Sequence, residues 1–241
     1  MLFYGGYYLV FPSLHGEDIL REFDMPYPVV VAHRGSSGIA PESTSEAYKI
    51  AAKNGADYLE ADLRQTKDGK IIVYHDDNLK RTSNIEKIYP DKAEEKIHEF
   101  ELEELRNLAI GTWFNEKYPQ KSREKYENLG ILTLKDLIKI AKSGVHRPDL
   151  ILELKDPDSY DNFEENIIKV LRENDYLNPK SRKGSSEIIF FSFNLDSLKQ
   201  MKKSIPEYPR LLLIDDQRIS RNSWGNWLDR GEKRSIEYYG K

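Results

Sequence analysis

The sequence predicts an α/β fold with a strand–helix–strand unit at its centre, and three observations between residues 29 and 82 carry that expectation. Three short apolar runs, 29–32, 58–62 and 71–74, are together rich in β-branched residues and read as strands. An amphipathic segment with helical spacing lies between the first and the second. Each run also carries polar groups within it or at its carboxyl end: His33 and Arg34, Glu60 and Asp62, His75 and Asp76.

Strand parity turns these runs into a constellation. Side chains alternate across a strand, so Glu60 and Asp62 share a face. His33 and His75 each stand where an apolar run stops. If the three strands run parallel, all four groups meet at one end of one sheet. Two neighbouring carboxylates repel and call for a proton or a cation between them. An oxygen-seeking ion such as Mg²⁺ or Ca²⁺ fits that need, and a chain with 0 cysteines offers no thiolate ligand.

Taken in order, residues 1–12 are apolar and aromatic without Lys or Arg, unlike the basic start of a signal peptide. A docking strand at 7–11 is the first expectation there. A remnant of a longer leader and a membrane-touching tip are the alternatives. Residues 13–24 have helical spacing in Leu14, Ile19, Leu20 and Phe23. Pro26 and Pro28 then impose an extended entry into the first strand. Residues 36–44 form a loop. The spacing predicts a helix over 45–54, buried through Ala47, Tyr48, Ala51 and Ala52 and stopped at Gly55. Residues 67–70 make a turn between the second and third strands.

The pattern changes over residues 82–130, which are charged and too long for an ordinary connection. Residues 97–100 and 102–105 mark a helix there. A helix from Thr133 to about Lys142 follows. Residues 149–155 are the fourth strand, with Glu153 and Lys155 on one face. A helix at 160–173, a strand at 187–193, a helix at 195–203 and a strand at 209–214 complete the pattern. Beyond Ile214 a short strand at 235–239 and a helix bearing Trp224 and Trp227 are expected.

Composition limits the function classes. The 241 residues are 39% hydrophobic and 32% charged, which suits a charged surface rather than a membrane bundle. A net charge of −4 argues against a general nucleic-acid binder. No stretch nears the ~18 apolar residues of a membrane span. Neither compartment nor oligomeric state is legible.

His33-Arg34-Gly35, Pro41-Glu42-Ser43-Thr44, Glu60-x-Asp62, Thr66-Lys67-Asp68-Gly69, His75-Asp76 and Arg81-Thr82 stand in one order, and together they resemble the glycerophosphodiester phosphodiesterases. One residue departs from the family pattern: Ser43 stands where the family usually has Asn, which is expected to loosen a loop hydrogen bond. The resemblance implies a TIM-barrel-like (β/α)8 fold. It also implies an insertion over about 83–130 after the third strand, marked by Gly111-Thr112-Trp113-Phe114, with Glu153-x-Lys155 and Ser192-Phe193 further on. It covers about residues 29–214. Only 27 residues follow Ile214, too few for two more βα units, so the barrel is irregular there or the chain is a piece of a longer protein. The expected organisation is an extension at 1–28 and a catalytic domain at 29–241.

The resemblance implies metal-dependent hydrolysis of a glycerophosphodiester to sn-glycerol 3-phosphate and an alcohol. His33 and His75 would be the acid and base, with their order open. Glu60, Asp62 and Glu153 would hold one Mg²⁺ or Ca²⁺, and Arg34 and Lys155 would meet the phosphate. Glu42 is an outer contact of the metal or a loop anchor beside Arg34. The bland alternative is a buried salt-bridge cluster of the three carboxylates with Arg34 and Lys155. Asp76 and Arg81 are expected to shape the loop after the third strand. Trp113, Phe191, Phe193 and Trp224 could line the substrate mouth, although core packing is the commoner use of such residues. His15, His98 and His146 lack such company. Two rival functions stand: a phospholipase-D-like or phospholipase-C-like relative acting on membrane lipids, and a non-catalytic binding protein with an incomplete barrel.

Overall fold

The computed structural model describes residues 27–177 and 188–214. The expected strand at 7–11, helix at 13–24, strand at 235–239 and helix bearing Trp224 and Trp227 lie outside the described residues. No described helix is long and apolar enough to cross a membrane.

Described strands and α-helices run in the order β1 (Val31–His33), α1 (Ser45–Lys53), β2 (Tyr58–Gln65), β3 (Ile71–Val73), α2 (Ile85–Ile88), α3 (Leu102–Leu105), α4 (Thr112–Lys117), β4 (Leu132–Thr133), α5 (Leu134–Lys142), β5 (Asp149–Leu154), α6 (Phe163–Glu173), β6 (Ile188–Ser192), α7 (Leu195–Ser204) and β7 (Arg210–Leu212). The strands β1, β2, β5, β6 and β7 are parallel and lie side by side in that order. A helix precedes each of β2, β5, β6 and β7. This is the progression of a TIM-barrel-like α/β fold, here with a mixed and open sheet.

Caps explain where the helices start. Thr44 Oγ1 accepts from Ala47 N at 3.3 Å, Thr133 Oγ1 from Asp136 N at 3.2 Å, and the Asn194 side chain from Asp196 N and Ser197 N. Each such cap is worth ~1 kcal/mol. The stripe Ala47, Tyr48, Ala51 and Ala52 is buried on α1, and Gly55 follows with φ +82°.

The two sheet faces have different neighbours. Leu59, Ala61 and Leu63 of β2, Leu150, Leu152 and Leu154 of β5, and Ile188 and Phe190 of β6 belong to the main core with side chains of α5, α6 and α7. The opposite parity gives Tyr58, Ile151 and Ile189 a smaller apolar cluster of their own, with Phe191 against it. Glu60, Asp62 and Glu153 continue that second face along β2 and β5, with Asp62 directly opposite Glu153 in register.

Four expectations need correction. The third run is not parallel: β3 pairs antiparallel with β2, and β4 antiparallel with β3. The segment from Thr66 to Lys70 is a tight turn, far shorter than a parallel crossover requires. Thr66 N donates to Lys70 O at 3.0 Å and Lys70 N to Thr66 Oγ1 at 3.0 Å. Residues 149–154 are consequently the fifth strand in sequence but the third of the parallel set.

The helix expected across 97–105 is a 3₁₀ turn at Ile97–Glu99 followed by α3. Its break has a tertiary cause. Phe100 is buried in the insertion's own core, its carbonyl accepts from Lys67 N at 2.8 Å, and Leu102 N donates to Asp68 Oδ1 at 3.0 Å. The β2–β3 turn thus takes the backbone groups a continuous helix would need. The helix expected from residue 160 starts at Phe163, after a 3₁₀ turn at Pro157–Ser159.

Candidate active site

The site is built on one edge of β2. The lower half of that edge pairs with β1, which ends at His33 opposite Glu60. The upper half pairs with β3, returning from the opposite direction and ending opposite Leu63. Tyr74 N still donates to Asp62 O at 3.0 Å. His33 and His75 therefore approach the Glu60–Asp62 stretch from opposite ends. The antiparallel return, rather than a parallel third strand, delivers His75.

Backbone geometry shapes the His33 side. Arg34 and Gly35 are both left-handed, at φ +56° and +78°. A Cβ on residue 35 would lie 2.7 Å from the Ala47 carbonyl carbon, so glycine lets the loop sit on α1. This turn aims Arg34 N at Glu60 Oε2, 2.8 Å away. His33 Nε2 lies 3.9 Å from the same Glu60 oxygen, and its side chain is 66% exposed. Desolvation and then the adjacent Arg34 guanidinium hold the His33 pKa below its ordinary value.

Glu60, Asp62 and Glu153 each offer a carboxylate oxygen within 4.8 Å of the other two, and all three residues are buried. Arg34 Nε lies 3.2 Å from Asp62 Oδ2, Lys155 Nζ 3.2 Å from Asp62 Oδ1, and Lys155 Nζ 2.6 Å from Glu153 Oε1. The two cations expected at the phosphate thus both sit on Asp62. These ion pairs are not well-directed hydrogen bonds: both Asp62 oxygens and Glu153 Oε1 are buried without a hydrogen-bond partner. Burial and the neighbouring Asp62 push the Glu60 pKa up to about 8. Burial first, and Asp62 against the opposing pull of Lys155, also raise that of Glu153. Orphaned buried carboxylate oxygens at this spacing fit a hard divalent cation, whose oxygen ligands lie ~2.0–2.6 Å away.

Side-chain networks shape the His75 side. The ring Nδ1 is 2.6 Å from Asp76 Oδ1, and Arg81 donates to both Asp76 oxygens, at 2.6 Å to Oδ2 and 3.0 Å to Oδ1. Arg81 also forks onto Glu42, at 3.0 Å and 2.6 Å, and Glu42 accepts from Arg34 Nη1 at 3.1 Å. Burial pushes the Asp76 pKa up, but the bonds from His75 and Arg81 outweigh it and hold it well below the carboxylate range. Arg81 and Arg34 lower Glu42 in the same way against its burial. Glu42 links the Arg34 loop to the His75 loop.

A cleft of about 1030 Å³ opens on this side, lined among others by His75, Asp76, Glu153, Lys155 and Phe193. Phe193 is 42% exposed there, whereas Phe191 packs in the floor cluster and Trp113 packs beside Phe114 in the insertion. Trp224 lies outside the described residues.

No sequence motif marks Arg64. Its Nε and Nη2 donate to the His75 carbonyl at 3.0 Å and 2.7 Å, and its Nη1 to Asp156 Oδ2 at 2.7 Å. Parity could have found it, since residues 60, 62 and 64 share one face of β2. Ser43 has φ +57° and a buried hydroxyl without a hydrogen-bond partner. Asn tolerates that left-handed conformation better than Ser.

The family model described as glycerophosphoryl diester phosphodiesterase matches residues 33–236, reaching past Ile214, where the motifs end. The chain is 35% identical over 192 residues to a glycerophosphodiester phosphodiesterase of Bacillus subtilis, covering 80% of this chain and 61% of that one. It is 34% identical over 181 residues to a glycerophosphodiester phosphodiesterase of Caldanaerobacter subterraneus, covering 74% and 63%. The chain thus spans about three fifths of the length of these relatives. A solved phosphodiesterase of Oleispira antarctica, in complex with the product sn-glycerol-3-phosphate, superposes with a TM-score of 0.63 at 28% identity, covering 84% of this chain and 71% of that one. With its motifs, its fold and a match over most of its length in agreement, the chain belongs to the glycerophosphoryl diester phosphodiesterase family.

Proposed function

We propose that the chain hydrolyses glycerophosphodiesters to sn-glycerol 3-phosphate and an alcohol, using His33 and His75 as proton carriers and one divalent cation, Mg²⁺ or Ca²⁺. The observation that carries this reading is the convergence of two histidines, from opposite directions, on a buried carboxylate triad with orphaned oxygens. Relatives named for this activity, and one bound to sn-glycerol-3-phosphate, support the substrate class.

Glu60, Asp62 and Glu153 are the ligands the cation would use. When bound, it neutralises charge developing on a phosphate oxygen. Arg34 and Lys155, both beside Asp62, are the cations that would meet the remaining phosphate oxygens, a guanidinium fork and a point charge that would stabilise the transition state. One histidine takes a proton from the attacking oxygen as it bonds to phosphorus; that oxygen belongs to water or to the substrate's own glycerol hydroxyl, and in the second case water then opens the cyclic phosphate to glycerol 3-phosphate. The other gives a proton to the departing alkoxide as that P–O bond breaks. Asp76 accepts from His75 Nδ1–H, fixing one tautomer and leaving Nε2 for the reacting proton. The carboxylate circuit through Glu42 and Arg81 holds the two loops in one arrangement.

The test is product release from glycerophosphocholine. The purified chain, stripped with a chelator, should release neither choline nor glycerol 3-phosphate. Restoring Mg²⁺ or Ca²⁺ should give both in equal amounts. A folded chain that binds glycerophosphocholine but releases nothing with either ion contradicts the proposal and favours the binding-protein reading. Release only from a lysophospholipid in vesicles would favour the lipid-acting one.

A further inference from the structure

We propose that Arg64 is a positioning residue that sets the place of His75 over the carboxylate triad; this rests on the two-histidine reading above. The β3 ladder ends at Val73, and the chain then leaves the sheet. Past Tyr74, no strand among the described residues holds the main chain that carries His75. Arg64 does so instead, placing two N–H groups of one guanidinium on the His75 carbonyl, at 3.0 Å and 2.7 Å. A planar fork on one oxygen fixes direction as well as distance, which a lysine ammonium does not reproduce.

The far side of the guanidinium is also tied down. Arg64 Nη1 donates to Asp156 Oδ2 at 2.7 Å and lies 3.4 Å from the Tyr160 hydroxyl. Asp156 follows Glu153 and Lys155 and is held left-handed, at φ +45°. Arg64 therefore spans the cleft wall from the His75 loop to the loop after β5, fixing the proton carrier relative to Glu153 and Lys155. Burying a cation is costly, and Arg64 is only 5% exposed while its carboxylate partner stands largely in water. An ion pair alone would be a poor return for that cost. The bonds to the His75 carbonyl supply the rest.

A direct phosphate contact is the competing role, because Arg64 also lines the cleft. Kinetics separate the two. Acting through His75, Arg64→Lys in the metal-loaded chain should lower kcat by about 10- to 100-fold, the cost of a misplaced reacting group, with KM within about twofold. In a His75→Ala background the same change should cost less than about threefold more, because the group it positions is gone. Full multiplication of the two losses overturns the proposal, as does a raised KM with kcat retained. Hydrogen exchange gives a readout independent of turnover. Arg64→Lys should speed exchange over residues 74–82 while leaving β5 and α6 unchanged, and Arg64→Gln should do the same. Uniformly faster exchange, or none in that segment, contradicts a local role. If the unaltered chain releases no product, the hydrolase reading fails, and exchange still decides whether Arg64 orders His75.

Discussion

The two histidines stand on one edge of one strand, yet the molecule holds them by different means. His33 is placed mainly by backbone: a left-handed turn at Arg34 and Gly35, a glycine pressed on α1, and a main-chain bond to Glu60, with one exposed side-chain bond from Ser37 Oγ to its carbonyl at 3.0 Å. Its ring is 66% exposed and makes no closer polar approach to Glu60 than 3.9 Å. His75 is placed by side chains, with Asp76 on its ring, Arg64 on its carbonyl, and a side chain only 31% exposed. A backbone-built position is insensitive to single side-chain changes outside the turn. A network-built one has several residues through which it can be disturbed.

The largest effects should come from the rings themselves. His33→Ala and His75→Ala should each lower kcat by about a hundredfold or more. The folded signal by circular dichroism should persist in both, and His33→Ala should leave Tm unchanged. Near-wild-type turnover in either variant removes that residue from the chemistry.

Next comes the asymmetry. Asp76→Asn should lower kcat by at least about tenfold, since the amide no longer enforces one His75 tautomer. A side-chain change in the His33 turn that leaves its backbone intact, such as Ser37→Ala, which removes one exposed hydroxyl bond to the His33 carbonyl, should change kcat less than about twofold. Equal sensitivity on the two sides, read by steady-state kinetics, would erase the comparison.

A third effect concerns the floor between the histidines. Burial and the neighbouring Asp62 push the Glu60 pKa up to about 8 in the metal-free fold, above that of a glutamate in the unfolded chain. The folded state thus binds the extra proton across that window, and metal-free stability falls as pH rises through it. A divalent cation binds the ionised form, so the rise in Tm on adding Mg²⁺ or Ca²⁺ should grow from pH 6 to pH 9. A metal-induced shift that shrinks over this range, by differential scanning fluorimetry, contradicts the assignment of Glu60 as a ligand. Glu60→Gln should weaken the pH dependence, leaving the part contributed by Glu153, whose pKa burial also raises.

The smallest effect is at Ser43. Ser43→Asn should stabilise the fold by ~0.5–1 kcal/mol, because Asn accepts a left-handed φ more readily. A lower urea midpoint for the variant would show that the loop is not strained there.

Much of this was legible in the residues. The α1 stripe, the turn at Gly69, and the parity that joins Glu60 to Asp62 and Glu153 to Lys155 follow from period and spacing alone. Antiparallel β3 was also available, because the short Thr66–Lys70 link admits no crossover. The break at Phe100 was not, since it depends on Lys67 and Asp68, more than thirty residues earlier, capturing backbone groups of the insertion. The pairings of Asp76 with Arg81 and of Glu42 with Arg34 were within reach of the motifs, but the link between Arg81 and Glu42 was hidden. A fork joining residues 39 apart exists only once the loops are folded. Arg64 lay between, visible by parity but without a motif to mark it.

The central claim is that two differently held histidines divide one proton relay, and a change of leaving group tests it most directly. The glycerol phosphodiester of p-nitrophenol departs without needing an acid. On this substrate one of the variants His33→Ala and His75→Ala should recover to within about tenfold of the unaltered chain, while the other stays depressed by about a hundredfold or more. Recovery of both variants, or of neither, would contradict a division of labour between the two sides of the site.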